Sequence, residues 1–189
     1  MGLNNCPWLK ACFLSPVVCN TIFEEDFQDI DHNTNLDLEG WTNFAEAGNR
    51  LWIEEIFGGN GYTEFSPFLS GDVANIGWLV TPPINLDNHN GAILVFQTAQ
   101  HHLSSPDNIL EVFVSTDFDG TNVLSATWEP MEARLASLDD DWYDFVPSGE
   151  VDLSSYSGNL YIAFKYVGSG TNTQLDGGYF VDDVRVFGL

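Results

Sequence analysis

Helical periodicity is nearly absent from this chain, and that constrains its fold more than any other feature. In its place come short apolar or alternating runs, each closed by a cluster of Gly, Asn, Asp, Ser or Pro. Period-two alternation punctuated by turn residues is the pattern of a β-sandwich or barrel. It predicts strands near 21–27, 50–57, 76–81, 92–100, 109–115, 127–134, 142–147, 159–167 and 178–187. The stretches between them have loop chemistry, as in Gly58-Gly59-Asn60-Gly61, whose glycines permit the positive φ of tight turns. About nine strands in one domain predict an all-β fold, a two-sheet antiparallel jelly-roll β-sandwich.

The chain's 189 residues suit a single domain with a sizeable core. Five Lys and Arg stand against 28 Asp and Glu, a formal charge of −23. Such a surface repels phosphate backbones and anionic headgroups, so no nucleic-acid or membrane-surface partner is expected. No stretch is long and apolar enough to span a bilayer, so membrane insertion is not expected either. Neutral glycans and cations remain compatible partners. Residues 1–20 read as an N-terminal extension, the tail of a preceding domain or a weak signal remnant, and residues 21–189 as the domain. Cys6, Cys12 and Cys19 all fall in that extension at a spacing that matches no common zinc pattern. One bridge among them would leave one thiol over, and the domain itself needs no disulfide.

Two strands carry carboxylates where apolar side chains are expected. Alternation puts Asp182 on one face with Phe180, Val184 and Val186, and Glu25 on one face with Phe23 and Phe27. A carboxylate on a core face is costly unless it is paired, hydrogen-bonded or metal-bound. The expectation is that the first and last strands lie side by side, that Glu25 and Asp182 meet, and that a structural calcium ion neutralises them. Asn49, Asp72 and Asn75 are loop oxygens suited to complete the shell, with Asp26 and Asp183 secondary because they point the other way. The alternative is that loop amides satisfy both carboxylates, or that one is protonated. Asp29 to Asn35 alternates oxygens as an EF-hand does, but Thr34 stands at the glycine position and Gly40 at the twelfth, which reads as a solvated loop. His101 and His102 are adjacent and face opposite sides of a strand, which argues against a shared zinc.

Catalytic arrangements are poorly supported. There is no G-x-S-x-G elbow and no glycine-rich phosphate loop, and 28 acids supply many chance carboxylate pairs, so a glycosidase pair carries no weight. Aromatic rings that stack on the apolar face of a sugar are a better starting point. Tyr62, Trp142 and Tyr143, with Asp141 to hold hydroxyls, are the loop-like candidates, whereas Trp41, Trp52, Trp78 and Trp128 read as core.

An ordered series of motifs then resembles a known family. It runs Glu25-Asp26-Phe27, Gly40-Trp41-Thr42, Leu51-Trp52, Trp78-Leu79-Val80-Thr81-Pro82, Val112-Phe113-Val114-Ser115-Thr116-Asp117, Tyr161-Ile162-Ala163-Phe164 and Val181-Asp182-Asp183-Val184. Over residues 21–188 it resembles the choice-of-anchor J domain and is similar to the cleaved-adhesin domains of gingipain-type surface proteases and, more distantly, to MAM domains. The resemblance implies a galactose-binding-like or MAM-like jelly roll in secreted or surface-anchored bacterial proteins, used for adhesion or glycan binding, often holding calcium and rarely catalytic. The expected function is therefore a non-enzymatic, extracellular adhesion or carbohydrate-binding module. It would be a monomeric domain stabilised by calcium, and its partner a glycan or a host or neighbouring surface protein. The alternatives are an accessory domain of an extracellular hydrolase and a spacer with no ligand beyond the ion.

Overall fold

The computed structural model describes residues 20–89 and 91–188. Cys6, Cys12 and Cys19, and all of the N-terminal extension except Asn20, lie outside the described residues. The strands are β1 (Asn20–Glu25), β2 (Thr34–Asn35), β3 (Thr42–Ala47), β4 (Ile53–Phe57), β5 (Asn60–Phe65), β6 (Asn75–Val80) and β7 (Ile84–Asn85). They continue with β8 (Ile93–His101), β9 (Ile109–Ser115), β10 (Glu129–Pro130), β11 (Val146–Pro147), β12 (Val151–Asp152), β13 (Asn159–Gly168) and β14 (Gly178–Gly188). One 3-10 turn spans Val123–Ser125. The expected all-β, two-sheet antiparallel sandwich is what forms.

One sheet has eight strands in the order β11-β8-β14-β5-β4-β2, with β1 added to β14 and β12 to β8. The other has six, β10-β9-β13-β6-β3, with β7 added to β13. Between the sheets lie Trp52, Phe65, Phe96, Phe164 and Tyr166, all buried. Phe65 on β5 stacks on Tyr166 of β13 with ring centroids 4.4 Å apart, and Phe96 on β8 meets Phe164 of β13 edge-on at 5.1 Å. Burying each such ring stabilises the fold by roughly 1.5–3 kcal/mol. The Tyr166 hydroxyl donates to the Gly177 carbonyl at 2.6 Å and accepts from Asn108 Nδ2 at 2.8 Å, so its polar end is satisfied deep in the core.

β14 is the organising strand. β8 flanks it along one edge, while its other edge pairs first with β5, at Tyr179 to Val181, and then with β1, from Val184 onward. The change of partner coincides with a bulge between Asp182 and Arg185, where Asp183 takes a left-handed φ of 53°. The bulge shifts the alternation by one residue. Tyr179, Val181, Val184 and Val186 point into the main core, while Phe180 packs on the outside of the sheet with Tyr62 and Ala99. The sequence reading that set Asp182 on the face of Val184 and Val186 is therefore corrected: Asp182 shares the outer face with Phe180, paired opposite Gln97.

Candidate functional site

The outer face of the eight-stranded sheet carries an aromatic cleft of about 550 Å³, lined by Phe57, Asn60, Tyr62, Tyr143, Phe145 and Phe180. Its floor follows from strand alternation. β4 and β5 form a hairpin closed by Gly58 and Gly59, at φ of 64° and 88°, so that Phe57 sits opposite Asn60 and Glu55 opposite Tyr62. On β5 the inward residue Phe65 goes to the core, which leaves Asn60, Tyr62 and Glu64 outside. Glu64 stands opposite Phe180 of β14, which brings that ring beside Tyr62, 4.8 Å between centroids.

The wall of the cleft is a loop. Asp140 anchors it, accepting from Arg134 Nη2 at 2.6 Å and from the Ser137 amide at 2.9 Å, while its own carbonyl accepts from Gln100 Nε2 at 2.7 Å. The Tyr143 amide then donates to the Gln100 carbonyl at 2.8 Å, and Tyr143 adopts a left-handed φ of 68°. These contacts lay the Tyr143 ring parallel to His101, with centroids 5.7 Å apart and planes within 6°, and at 6.0 Å from Phe180. Phe145 closes the end, 5.6 Å from Tyr62. Phe57 is 78% exposed and Tyr143 55%, although an apolar ring open to water gains nothing from its exposure.

Polar groups sit behind the rings. Asn60 lines the cleft and donates from Nδ2 to Asp182 Oδ2 at 2.9 Å; Asp182 Oδ1 accepts the Asp183 amide at 2.7 Å. Burial pushes the Asp182 carboxyl up to about 7, against the lowering effect of the Asn60 hydrogen bond. The Tyr62 hydroxyl is pushed up to about 12, first by burial and then by Glu55, Glu64, Tyr143 and Asp182 around it. Glu55 and Glu64 lie within 3.0 Å of His32 Nδ1 and His101 Nε2 respectively.

The sequence-derived sugar candidates are gathered in part. Tyr62 and Tyr143 face the same cleft, although Tyr62 is on strand β5 rather than in a loop. Trp142 is exposed and packs on His102, 4.2 Å between centroids, beside the cleft and not in its lining. Asp141 is exposed in the same loop, where its carbonyl accepts the Asp144 amide at 3.3 Å. Phe57, Asn60, Phe145 and Phe180 were missed. The Gly58-Gly59 pair between two apolar runs was the available signal, because a two-residue glycine turn fixes which residues face each other.

The six residues offered as calcium ligands fall in three places. Glu25 pairs opposite Val184 on the core side of the sheet and its Oε1 accepts the Phe27 amide at 2.8 Å. Burial raises its pKa despite that hydrogen bond. Asp182 is on the opposite face, and Asp183 accepts from Gln97 Nε2 and pairs with Arg185 Nη2 at 2.7 Å. The first and last strands do lie side by side, but the bulge turns Asp182 away from Glu25. Asn49, Asp72 and Asn75 form a third group at the start of β6. There Asp72 accepts from the Asn49 amide at 2.9 Å, and Asn75 Nδ2 donates to Ser70 Oγ at 3.0 Å. Asn75 Oδ1 is buried without a hydrogen-bond partner. Among the described residues no set of three or more His, Cys, Asp or Glu side chains is placed to hold a metal ion. One shell made of all six does not fit this structure, and of these six described residues Asn75 alone has a buried side-chain oxygen without a hydrogen-bond partner.

The architecture is that of a two-sheet antiparallel β-sandwich. It is similar to the K1 cleaved adhesin domain of Lys-gingipain from Porphyromonas gingivalis W83, at 17% identity and a TM-score of 0.53 over 88% of this chain and 97% of that one. The K2 cleaved adhesin domain of Lys-gingipain aligns at 16% identity and a TM-score of 0.55, over 88% and 97%. The carbohydrate-binding module TmCBM27, known for specific mannan recognition, aligns at 13% identity and a TM-score of 0.52, over 92% and 99%. At these identities the likeness is one of fold. No curated protein matches the chain. Residues 84–186 match the domain of unknown function DUF5017, which is more than half of the sequence, and the chain belongs to that family.

Proposed function

We propose that this chain is a non-catalytic carbohydrate-binding or adhesion module of the choice-of-anchor J kind. In this reading it works outside the cell as one domain beginning near residue 21, and its glycan site is the aromatic cleft. The observation that carries the reading is the cleft itself, where the exposed rings of Phe57 and Tyr143 stand over the buried rings of Tyr62 and Phe180, beside one oriented amide, Asn60. Rings present an apolar platform to the flat face of a pyranose, and the second Asn60 Nδ2 proton is set to read a hydroxyl, while the Asn60 Oδ1 accepts from Gln28 Nε2 at 3.3 Å. The sandwich likeness to adhesin and carbohydrate-binding domains supports the same reading.

The test is a glycan array followed by calorimetric titration of the best oligosaccharide. Tyr143→Ala and Tyr62→Ala should each weaken binding at least about tenfold, Tyr143→Ala with its thermal transition preserved because that ring is half exposed. A wild-type protein that binds no glycan, as the spacer alternative requires, or a Tyr143→Ala variant that binds as well as wild type, would sink the reading.

A structural calcium ion is a second part of the proposal, placed at Asn49, Asp72 and Asn75 rather than between the first and last strands. The unpartnered Asn75 Oδ1 favours it. Chelator should lower the melting temperature and added calcium restore it, and Asn75→Ala should abolish that response. Melting that ignores both reagents removes calcium from the account.

A further inference from the structure

Three carboxylates ring the cleft on the same outer face as its aromatic floor: Glu55 on β4, Glu64 on β5 and Asp182 on β14. Among the described residues no lysine or arginine lines the cleft. Arg185, on the strand that carries Asp182, is engaged by Glu24 Oε1 at 2.7 Å and Asp183 Oδ1 at 2.7 Å, and Arg134, which fastens the wall loop, is engaged by Asp140 Oδ1 at 2.6 Å. The partners of Glu55 and Glu64 are imidazoles, which carry charge only when protonated. Asp182 is 4% exposed, behind Asn60, so its field reaches the cleft through protein rather than through water. Five aromatic rings line the same cleft, and an aromatic face attracts a cation through its quadrupole.

Resting on the glycan reading above, we infer that the cleft selects sugars bearing a positively charged nitrogen, an amino sugar with a free amine, and rejects uronates and sulfated sugars. The rings and the carboxylates act in the same sense. A cation over an aromatic face is attracted to it, and the same group lowers the energy of the carboxylates grouped behind the rings. A carboxylate or sulfate on the ligand meets the opposite on every side. A neutral sugar keeps the stacking alone. Glu55 and Asp182 therefore act as specificity residues without touching the sugar ring, and Tyr143 acts as the platform common to all ligands.

The experiment compares oligosaccharides of equal length at pH 8 and low ionic strength: N,N,N-trimethylglucosamine oligomers, whose charge is permanent, N-acetylglucosamine oligomers and glucuronate oligomers. The trimethylated oligomer should bind on the order of tenfold more tightly than the acetylated one, and the glucuronate oligomer should not bind. Asp182→Asn should shrink the gap between the charged and acetylated oligomers to about twofold, and Glu55→Gln, at a half-buried rim position that holds none of the cleft's lining, should shrink it likewise while leaving the acetylated oligomer unaffected. Equal affinity for charged and acetylated oligomers overturns this inference and leaves the glycan reading standing. Failure of all three to bind overturns both. A charge preference that survives in both carboxylate variants is attraction to the −23 surface at large and also overturns the inference.

Discussion

Asp182 shows how one residue can be conspicuous in a sequence and still be misplaced. A carboxylate inside an apolar strand announces itself, but its face depends on a bulge that no local pattern marks. Asp183 supplies that bulge by taking a left-handed φ, a conformation that aspartate tolerates better than most side chains. The burial of Asp182 has a pH signature. Its carboxyl rises from 3.8 in the unfolded reference to about 7 in the fold. Between those values the folded state holds a proton that the unfolded chain has released, so stability falls as pH rises through that window. Asp182→Asn, which removes the charged form, should raise the melting temperature above wild type at pH 8 by a few degrees and lose that advantage near pH 4. Thermal melts at the two pH values decide it; an advantage of equal size at both would show that ionisation is not the cost.

At the scale of elements, strands buried on a strongly apolar face were legible. β5, which carries Asn60 and Tyr62 into the cleft, was not. β6, β8, β9, β13 and β14 match expected runs to within a few residues, because their apolar content is high enough to override local ambiguity. β3 has the sequence Thr-Asn-Phe-Ala-Glu-Ala, polar enough to pass for loop, and is held as a strand by pairing with β6. The Gly58-Gly59-Asn60-Gly61 run reads as a glycine-rich loop, yet only Gly58 and Gly59 form the turn; Gly61 pairs with Ile56 on β5, where a Cβ would collide with the Phe27 carbonyl oxygen. The runs expected at 127–134 and 142–147 shrink to two residues each, and the second frees Tyr143 for the cleft wall. Two glycine substitutions separate conformational from packing demands. At Gly77 of β6 a Cβ would stand 2.0 Å from the Phe65 ring that stacks on Tyr166, so Gly77→Ala should cost at least about 2 kcal/mol. At Gly58 the surrounding space is open and only the φ of 64° resists a side chain, so Gly58→Ala should cost about 1 kcal/mol. Urea unfolding of both variants measures the two values, and the reverse ranking would contradict the packing described here.

For the whole molecule, a charge of −23 on 189 residues dominates solution behaviour. The few cations in the described structure are already used: Arg134 with Asp140, Lys165 with Glu46, Arg185 with Glu24 and Asp183, and Arg50 donating to the Phe68 carbonyl. Screening therefore weakens far more repulsion than attraction. Raising sodium chloride from about 10 mM to 200 mM should raise the melting temperature by several degrees. A scan in which salt lowers it would mean that the ion pairs outweigh the self-repulsion. The −23 charge and the absence of a helical pattern could be read directly from composition and periodicity. The site could not, because a cleft built from β4, β5, β14 and a distant loop exists only after the chain has closed. That same loop is fastened by the Asp140 carboxylate and by main-chain groups, the Asp140 carbonyl and the Tyr143 amide on Gln100, and not by its outward-facing tips, the side chains of Trp142 and Tyr143. Descendants of this chain are thus free to exchange those two tips and acquire a new taste in ligands, while the fastenings and the scaffold beneath are inherited unchanged.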